Sequence, residues 1–445
     1  MFRAIKFYKY LDKSRFEVDF ITHGAAGRFA RAVLDDSLLR EVEPAPSIHR
    51  VPTIIPHDLL PAVRARVRRR RAPMPTETRK AAGDEPQSAP RPHRSVPRTL
   101  YRWFALSVYF PDHLFLWGWF AAFRLLWLHA RRHYDLVYTT SFPESAHLAG
   151  LMLRAFGVRW VVDYRYGGPL WIKEVVGFRK PSLRERIDHR YQRFVLRRAD
   201  QVITQSERIR ADFCSVFALD PARVLVISSG FDEADFDATA VPDAPFPKRA
   251  HEVHLLHVGT LEGVADRERL EILTALNALG EQLRQRGRTL VLHAVGSPLF
   301  GEAERLKAPH VAYRAHGVIV HRQIPAYLLA ADCCLLSTWT TSNGGVKGFI
   351  PSKLWEYLRS GRPIVATGPK DEVWTIVEDA GVGLQLELDG GRRDLAVALA
   401  DDLLDRLRTR KPLAASVQRY SWQSRAQSLE DLFVRTVDGP RTAPC

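Results

Sequence analysis

From Asp135 onward the chain alternates short apolar runs with charged helical segments, and it does so in two series. The first series holds Asp135-Leu-Val-Tyr-Thr-Thr140, Trp160-Val-Val-Asp163, Gln201-Val-Ile-Thr204 and Val224-Leu-Val-Ile227. Helical periodicity covers Ser145 to Phe156 and Leu183 to Arg198 between them. The second series begins near His251 with His254-Leu-Leu-His257. It continues through Leu290-Val-Leu-His293, Cys333-Cys-Leu-Leu336, Pro363-Ile-Val-Ala366 and Gly383-Leu-Gln385. Apolar runs flanked by helices are strands buried on both faces, which is the signature of a parallel sheet with helical crossovers. The expected architecture is α/β, in two blocks joined by the proline-containing segment 238–249.

Before the first series the pattern is different. Phe2, Ile5, Phe7, Tyr10 and Leu11 have helical spacing, while Phe16 to Thr22 and His49 to Ile55 read as strands. Residues 64–71 read RARVRRRR, and a Pro-, Arg-, Ser- and Thr-rich stretch follows. We expect a disordered basic insert over about 61–98. Thr99 to Arg132 is the most aromatic part of the chain. It reads either as core helix or as a surface for a membrane, and one helix serves both if each face does one job.

Composition narrows the function. With 445 residues and 46% hydrophobic residues, there is material for sizeable cores. The four cysteines show no CxxC spacing, which excludes a disulfide scaffold or zinc ribbon and favours a reducing compartment. A net charge of +15 favours anionic partners: lipid, nucleic acid or a phosphorylated small molecule. There is no helix-turn-helix, RRM or zinc-finger pattern, so nucleic acid is not the expected partner. Pro111, Asp112, His113 and Arg124 interrupt the most apolar window. The N-terminus shows no signal-peptide pattern. We expect a cytoplasmic chain, peripheral at the inner face of the membrane.

The sharpest chemical signal is Ile350-Pro-Ser-Lys-Leu-Trp-Glu-Tyr-Leu-Arg-Ser-Gly-Arg-Pro-Ile364. Pro351 suits a helix start and Gly361 a helix stop. A helix N-terminus attracts anions, so Lys353 in the first turn makes sense beside a diphosphate, with Ser352 next to it. Glu356, one turn on, is placed to accept hydrogen bonds from a ribose diol. Read alone, the segment is equally an ordinary surface helix. His257-Val-Gly-Thr260 is a strand end whose glycine lets a ligand approach the backbone, and Arg267 follows it. Asp163 and Arg165 stand at the carboxyl end of another strand, where open α/β sheets place ligands.

Taken in order, these segments resemble the GT-B glycosyltransferases of retaining family 4, the glycosyl transferase group 1 family. Ala199-Asp-Gln-Val-Ile-Thr-Gln-Ser206, Ile227-Ser-Ser-Gly-Phe-Asp232 and His257-Val-Gly-Thr-Leu261 match its phrases. So do His316-Gly-Val-Ile-Val-His321 through Asp332, Pro351 to Ile364, and Tyr420-Ser-Trp422 to Leu432. The resemblance implies two Rossmann-like domains facing each other across a cleft. They span 1–237 on the acceptor side and 250–415 on the nucleotide-sugar side, and a helix over 416–437 returns to the first. It implies sugar transfer with retention from a nucleotide diphosphate sugar to a glycan or lipid-linked acceptor, with no obligatory metal. Asp163, Arg165, Arg267 and Lys353 are the implied catalytic residues. Gly259, Thr260, Val318, Ser352 and Glu356 are the implied donor-binding residues. Asp235-Phe236-Asp237 is not expected to bind metal.

Two departures from the family stand out. Gly348 occupies the place of the first of the family's paired glutamates. The family's opening strand and glycine loop have no counterpart before the first helix. We therefore expect the first domain to lack its central strand, with the gene product beginning upstream of Met1. A sugar-nucleotide epimerase of the same fold and a nucleic-acid binder are the alternative functions.

Overall fold

The structure, a computed structural model, describes residues 2–24, 42–54, 110–165, 183–237, 244–260, 266–338, 348–368, 370–388, 392–409 and 415–440. The expected basic insert and residues 238–243 of the expected linker lie outside them.

The N-terminal half runs α1 (Phe2–Tyr10), β1 (Asp19–His23), β2 (Ser47–Val51), α2 (Phe115–Arg132), β3 (Leu136–Thr140), α3 (His147–Ala155) and β4 (Arg159–Tyr164). It continues through α4 (Leu183–Arg198), β5 (Gln201–Thr204), α5 (Glu207–Phe217) and β6 (Val224–Val226). Strands β3-β4-β5-β6 form a parallel sheet, and β1 and β2 form a separate parallel pair. Among the described residues no ladder joins the pair to β3. Arg132 and Tyr134 nevertheless tie the start of β3 to Asp19 of β1, Arg132 at 2.8 Å.

Alternation along the strands sorts the helices into two layers. Trp160, Val162 and Val202 face Leu153 of α3, Val195 and Leu196 of α4, and Phe213 and Phe217 of α5. Leu125 and Leu126 of α2 join that layer. Val161 and Ile203 face the opposite way, onto Phe7 of α1.

The C-terminal half runs β7 (Glu252–Val258), α6 (Asp266–Gln285), β8 (Thr289–Val295), β9 (Val311–Gly317), α7 (Ile324–Ala330) and β10 (Cys333–Ser337). Next come α8 (Lys353–Ser360), β11 (Ile364–Thr367), α9 (Glu372–Asp379), β12 (Gly383–Gln385) and α10 (Arg393–Thr409). All six strands are parallel, in the order β12-β11-β10-β7-β8-β9. The order reverses between β7 and β10, so a crevice opens beyond their carboxyl ends. Two apolar cores, one on each face of this sheet, bury Leu255 and Leu292 on one side and Leu256 and Leu336 on the other. The sequence reading has no strand over Val311–Gly317. β9 is an edge strand whose side chains are half or fully exposed, so it carries no apolar run.

The last helix, α11 (Trp422–Asp438), packs on α1 and sets Trp422, Ala426, Leu429 and Leu432 into the N-terminal core. Its entry crosses the strand that leaves β6. Trp422 N–H donates to the Phe231 carbonyl at 2.8 Å, and Phe231 N–H donates to the Tyr420 carbonyl at 3.1 Å. Gly230 makes the crossing feasible, because the Tyr420 carbonyl oxygen occupies the space a β-carbon would need.

Candidate functional site

The crevice at the β7/β10 reversal is where the two best sequence signals converge. β7 ends in Gly259, whose φ of +96° is a glycine conformation. The Lys353 ammonium lies 3.4 Å from where a Gly259 β-carbon would stand. Tyr357 fixes α8 in this place, its buried hydroxyl accepting the Val258 N–H at 2.8 Å.

His257 orients Lys353. It is fully buried, and its Nδ1 donates to the Leu335 carbonyl at 3.0 Å. That hydrogen bond leaves Nε2 bare, and Nε2 accepts from the Lys353 ammonium at 3.1 Å. Burial pushes the Lys353 ammonium down to about 8. Burial, then the adjacent Lys353 charge, drives His257 well below the usual histidine range. The result is a neutral imidazole holding a cation that gives up its proton easily.

Glu356 faces a second histidine. His321 Nε2 donates to Glu356 Oε1 at 2.8 Å. Burial works against a charged His321, but the Glu356 carboxylate outweighs it and raises the imidazole above its usual value. Phe2, at the start of α1, sets its ring edge-on to His321 with centroids 5.4 Å apart. The N-terminal half therefore touches the site through α1.

That helix is held by buried ion pairs. Arg3 Nε donates to Asp163 Oδ2 at 2.8 Å, and its other nitrogens donate to the Ile227 and Ser228 carbonyls at 2.6 and 2.8 Å. Tyr138 also donates to Asp163. Lys6 and Lys9 meet Asp232 at 2.5 and 2.8 Å, and Tyr10 donates to the same carboxylate. Burial would raise the Asp232 carboxyl, yet Lys6 and Lys9 hold it down at about 2.

The domains also meet opposite α8. Glu372, in the first turn of α9, accepts from the Glu207 and Arg208 N–H groups at 2.9 and 3.1 Å, at the start of α5. Gly348 sits against the same place. A β-carbon there would stand 3.0 Å from Arg208 Cβ and 3.1 Å from Ser206 Oγ. A glycine suits this position, because its φ is +84° and a side chain here would crowd Ser206 and Arg208 at the start of α5.

Residues 81–235 match the family model described as Glycosyltransferase Family 4. Over that stretch the chain is similar to glycosyltransferase family 4. Among solved structures, the chain is similar to the trehalose-6-phosphate phosphatase N-terminal domain of Candida albicans. That match has 11% identity and a TM-score of 0.55, covering 98% of this chain and 92% of the other. It is also similar to a glycosyltransferase from Rickettsia africae ESF-5, at 11% identity and TM-score 0.52 over 99% of this chain and 95% of that one. The calicheamicin glycosyltransferase CalG4 matches at 12% identity and TM-score 0.50, covering 99% and 96% of the two chains. These likenesses carry the fold: two Rossmann-like domains, GT-B. No curated protein matches the sequence. The family match supports sugar transfer as the chemistry.

Of the residues singled out by sequence, Gly259, Lys353 and Glu356 come together at the crevice. Thr260 and Ser352 are exposed beside Gly259 and Lys353 in the chain. Val318 is 88% exposed in the loop after β9. Arg267 belongs to the first turn of α6, and its side chain lies outside the described residues. Asp163 is completely buried, and its Oδ2 accepts from Arg3 and Tyr138, so that it anchors α1. Arg165 stands just past β4, where its N–H donates to Ser141 Oγ at 3.2 Å. His257 and His321 escaped the reading as site residues, although both lie inside quoted phrases. Their partners are 96 and 35 residues away, and only folding pairs them. Among the described residues no group of three His, Cys, Asp or Glu side chains is arranged to hold a metal ion, and no helix is long and apolar enough to cross a membrane.

Proposed function

We propose that this glycosyltransferase moves a sugar, with retention, from a nucleotide diphosphate sugar to a glycan or lipid-linked acceptor at the cytoplasmic face of a membrane. The observation that supports it best is the meeting of Gly259, Lys353 and Glu356 at the β7/β10 reversal. In this reading the donor diphosphate lies over Gly259, close to the backbone because no side chain intervenes. The Lys353 ammonium, held by His257, and the first turn of α8 stabilise the charge that develops on the leaving diphosphate. Arg267 assists from α6. Charge stabilisation by groups already in place is the largest single catalytic contribution in most enzymes. Glu356 turns from His321 to the donor ribose diol, and Ser352, Thr260 and Val318 line the donor's path. Arg165 sits on the acceptor side. The scheme assigns no step to a metal.

The test is a thermal-shift series over nucleoside diphosphates, followed by a transfer assay. The right diphosphate at 100 times its Kd should stabilise the protein by about 2.7 kcal/mol. Glu356→Ala should weaken donor binding roughly 10- to 100-fold, as expected for lost hydrogen bonds to a charged group, with the fold unchanged. Free nucleoside diphosphate should appear only when acceptor is present. Unchanged kinetics in Glu356→Ala would refute the assignment, and diphosphate release without acceptor would favour an epimerase.

A further inference from the structure

Among the described residues, the outer face of α2 is left exposed. Trp119, Phe123 and Trp127 recur four residues apart and are 44, 58 and 44% exposed, while Trp117, Ala121 and Leu128 on the other face are buried. Burial of the inner face already satisfies the helix, so packing does not explain the outer aromatics. A monomer seldom leaves such rings contiguous unless something covers them. Arginines accompany them. The Arg124 and Arg131 guanidinium carbons lie 4.3 and 3.6 Å from the Trp127 ring centre. The helix carries no Asp or Glu.

The pattern continues on α4. Phe194 is 45% exposed, with the Arg198 guanidinium 3.6 Å above its ring, and Arg186, Arg190 and Arg193 are exposed along the same helix. α3 and α4 pack inward on one face of the β3–β6 sheet, while α2 covers β1 and β2 and reaches that core through Leu125 and Leu126, and α3 lies against both its neighbours. Their outer sides therefore point the same way, and the aromatic and basic groups share one broad surface.

We propose that this helical layer docks on an anionic lipid bilayer, with the α2 aromatics at headgroup depth and the α4 arginines on the lipid phosphates. The proposal deepens the membrane-acceptor reading above and rests on it for the choice of surface. Trp and Phe with an apolar body suit the interface between headgroup and chain, and arginine stems carry their charge to the phosphates. Each arginine near an anionic surface contributes about 1 kcal/mol. A second copy of the chain fits less well, because it would set these arginines against one another.

The full chain is floated with vesicles of phosphatidylcholine alone, or of phosphatidylcholine with roughly 30 mol % phosphatidylglycerol. It should float with the anionic vesicles only, and less as salt rises. Arg186→Ala/Arg190→Ala/Arg193→Ala should lower partitioning on the order of 100-fold. Trp119→Ser/Phe123→Ser should abolish flotation. Melting temperature and nucleoside diphosphate binding should match the parent in both variants. The arginine variant, altered only at exposed positions, carries the test if the aromatic one folds poorly. Flotation with neither vesicle or equally with both, or variants that float like the parent, would overturn the proposal. So would a dimer that Trp119→Ser/Phe123→Ser dissociates, which would name a second copy as the cover. If diphosphates bind but vesicles do not, docking fails and the sugar-transfer reading stands.

Discussion

If Lys353 meets the donor as proposed, one side chain couples donor binding to pH. Its ammonium titrates near 8 rather than at the usual 10.5, because it is buried against a neutral His257. Only the protonated form attracts a diphosphate. Donor affinity should be flat below about pH 8 and fall above it, by up to about tenfold per pH unit. Lys353→Arg keeps its charge throughout and should flatten the profile. Calorimetry across pH 7 to 10 in buffers of different ionisation enthalpy would also detect the proton taken up on binding. A flat profile in the unsubstituted protein would show that Lys353 does not meet the donor. The effect on stability has the opposite slope. The folded pKa lies below the unfolded one, so the cost of burying the ammonium is fully present below about pH 8. It is relieved as pH rises from there towards 10.5.

At the scale of elements, the strand after β6 and the entry to α11 cross in a close joint. Gly230→Ala drives a methyl group into the Tyr420 carbonyl, which the two hydrogen bonds around Phe231 hold in place. We expect a loss of about 1–3 kcal/mol and earlier proteolytic release of α11, measured by denaturant titration and limited digestion. Retention of full stability would mean that the joint yields without cost. The elements differ in how readily they are read from sequence. β4, β7, β8, β10 and β11 are buried on both faces, and a buried strand must be written in apolar letters. β9 borders solvent, so its residues are free to be polar and its identity comes from pairing with β8 alone. Lys353 and Glu356 were legible because a helix start fixes the neighbourhood of its own first turn. The partner of Asp163 was not legible, because the end of a parallel strand looks the same whether a ligand or Arg3 waits there. Gly348 reads as a lost function in sequence and as a close approach of domains in three dimensions.

For the whole molecule, one contact between the domains is specific enough to test. The Glu372 carboxylate sits on the N-terminus of α5, where two N–H groups and the helix dipole favour it. Glu372→Ala should remove about 1–2 kcal/mol from the contact and widen the distribution of interdomain distances. Spin labels placed on the two halves would measure it, with circular dichroism unchanged. An unaltered distribution would assign the contact to the α1 and α11 joints alone. Those joints have another consequence, one of timing. Trp422, Leu429 and Leu432 belong to the same core as Phe7, Val161 and Ile203. A ribosome delivers the N-terminal half first, but it cannot deliver that half's finished core. The C-terminal sheet, complete by β12, is free to fold while the earlier half still waits for its last helix. The first part of the protein to be made is thus the last to be completed, and until then the apolar side of its sheet stands open to whatever chaperone or neighbour reaches it.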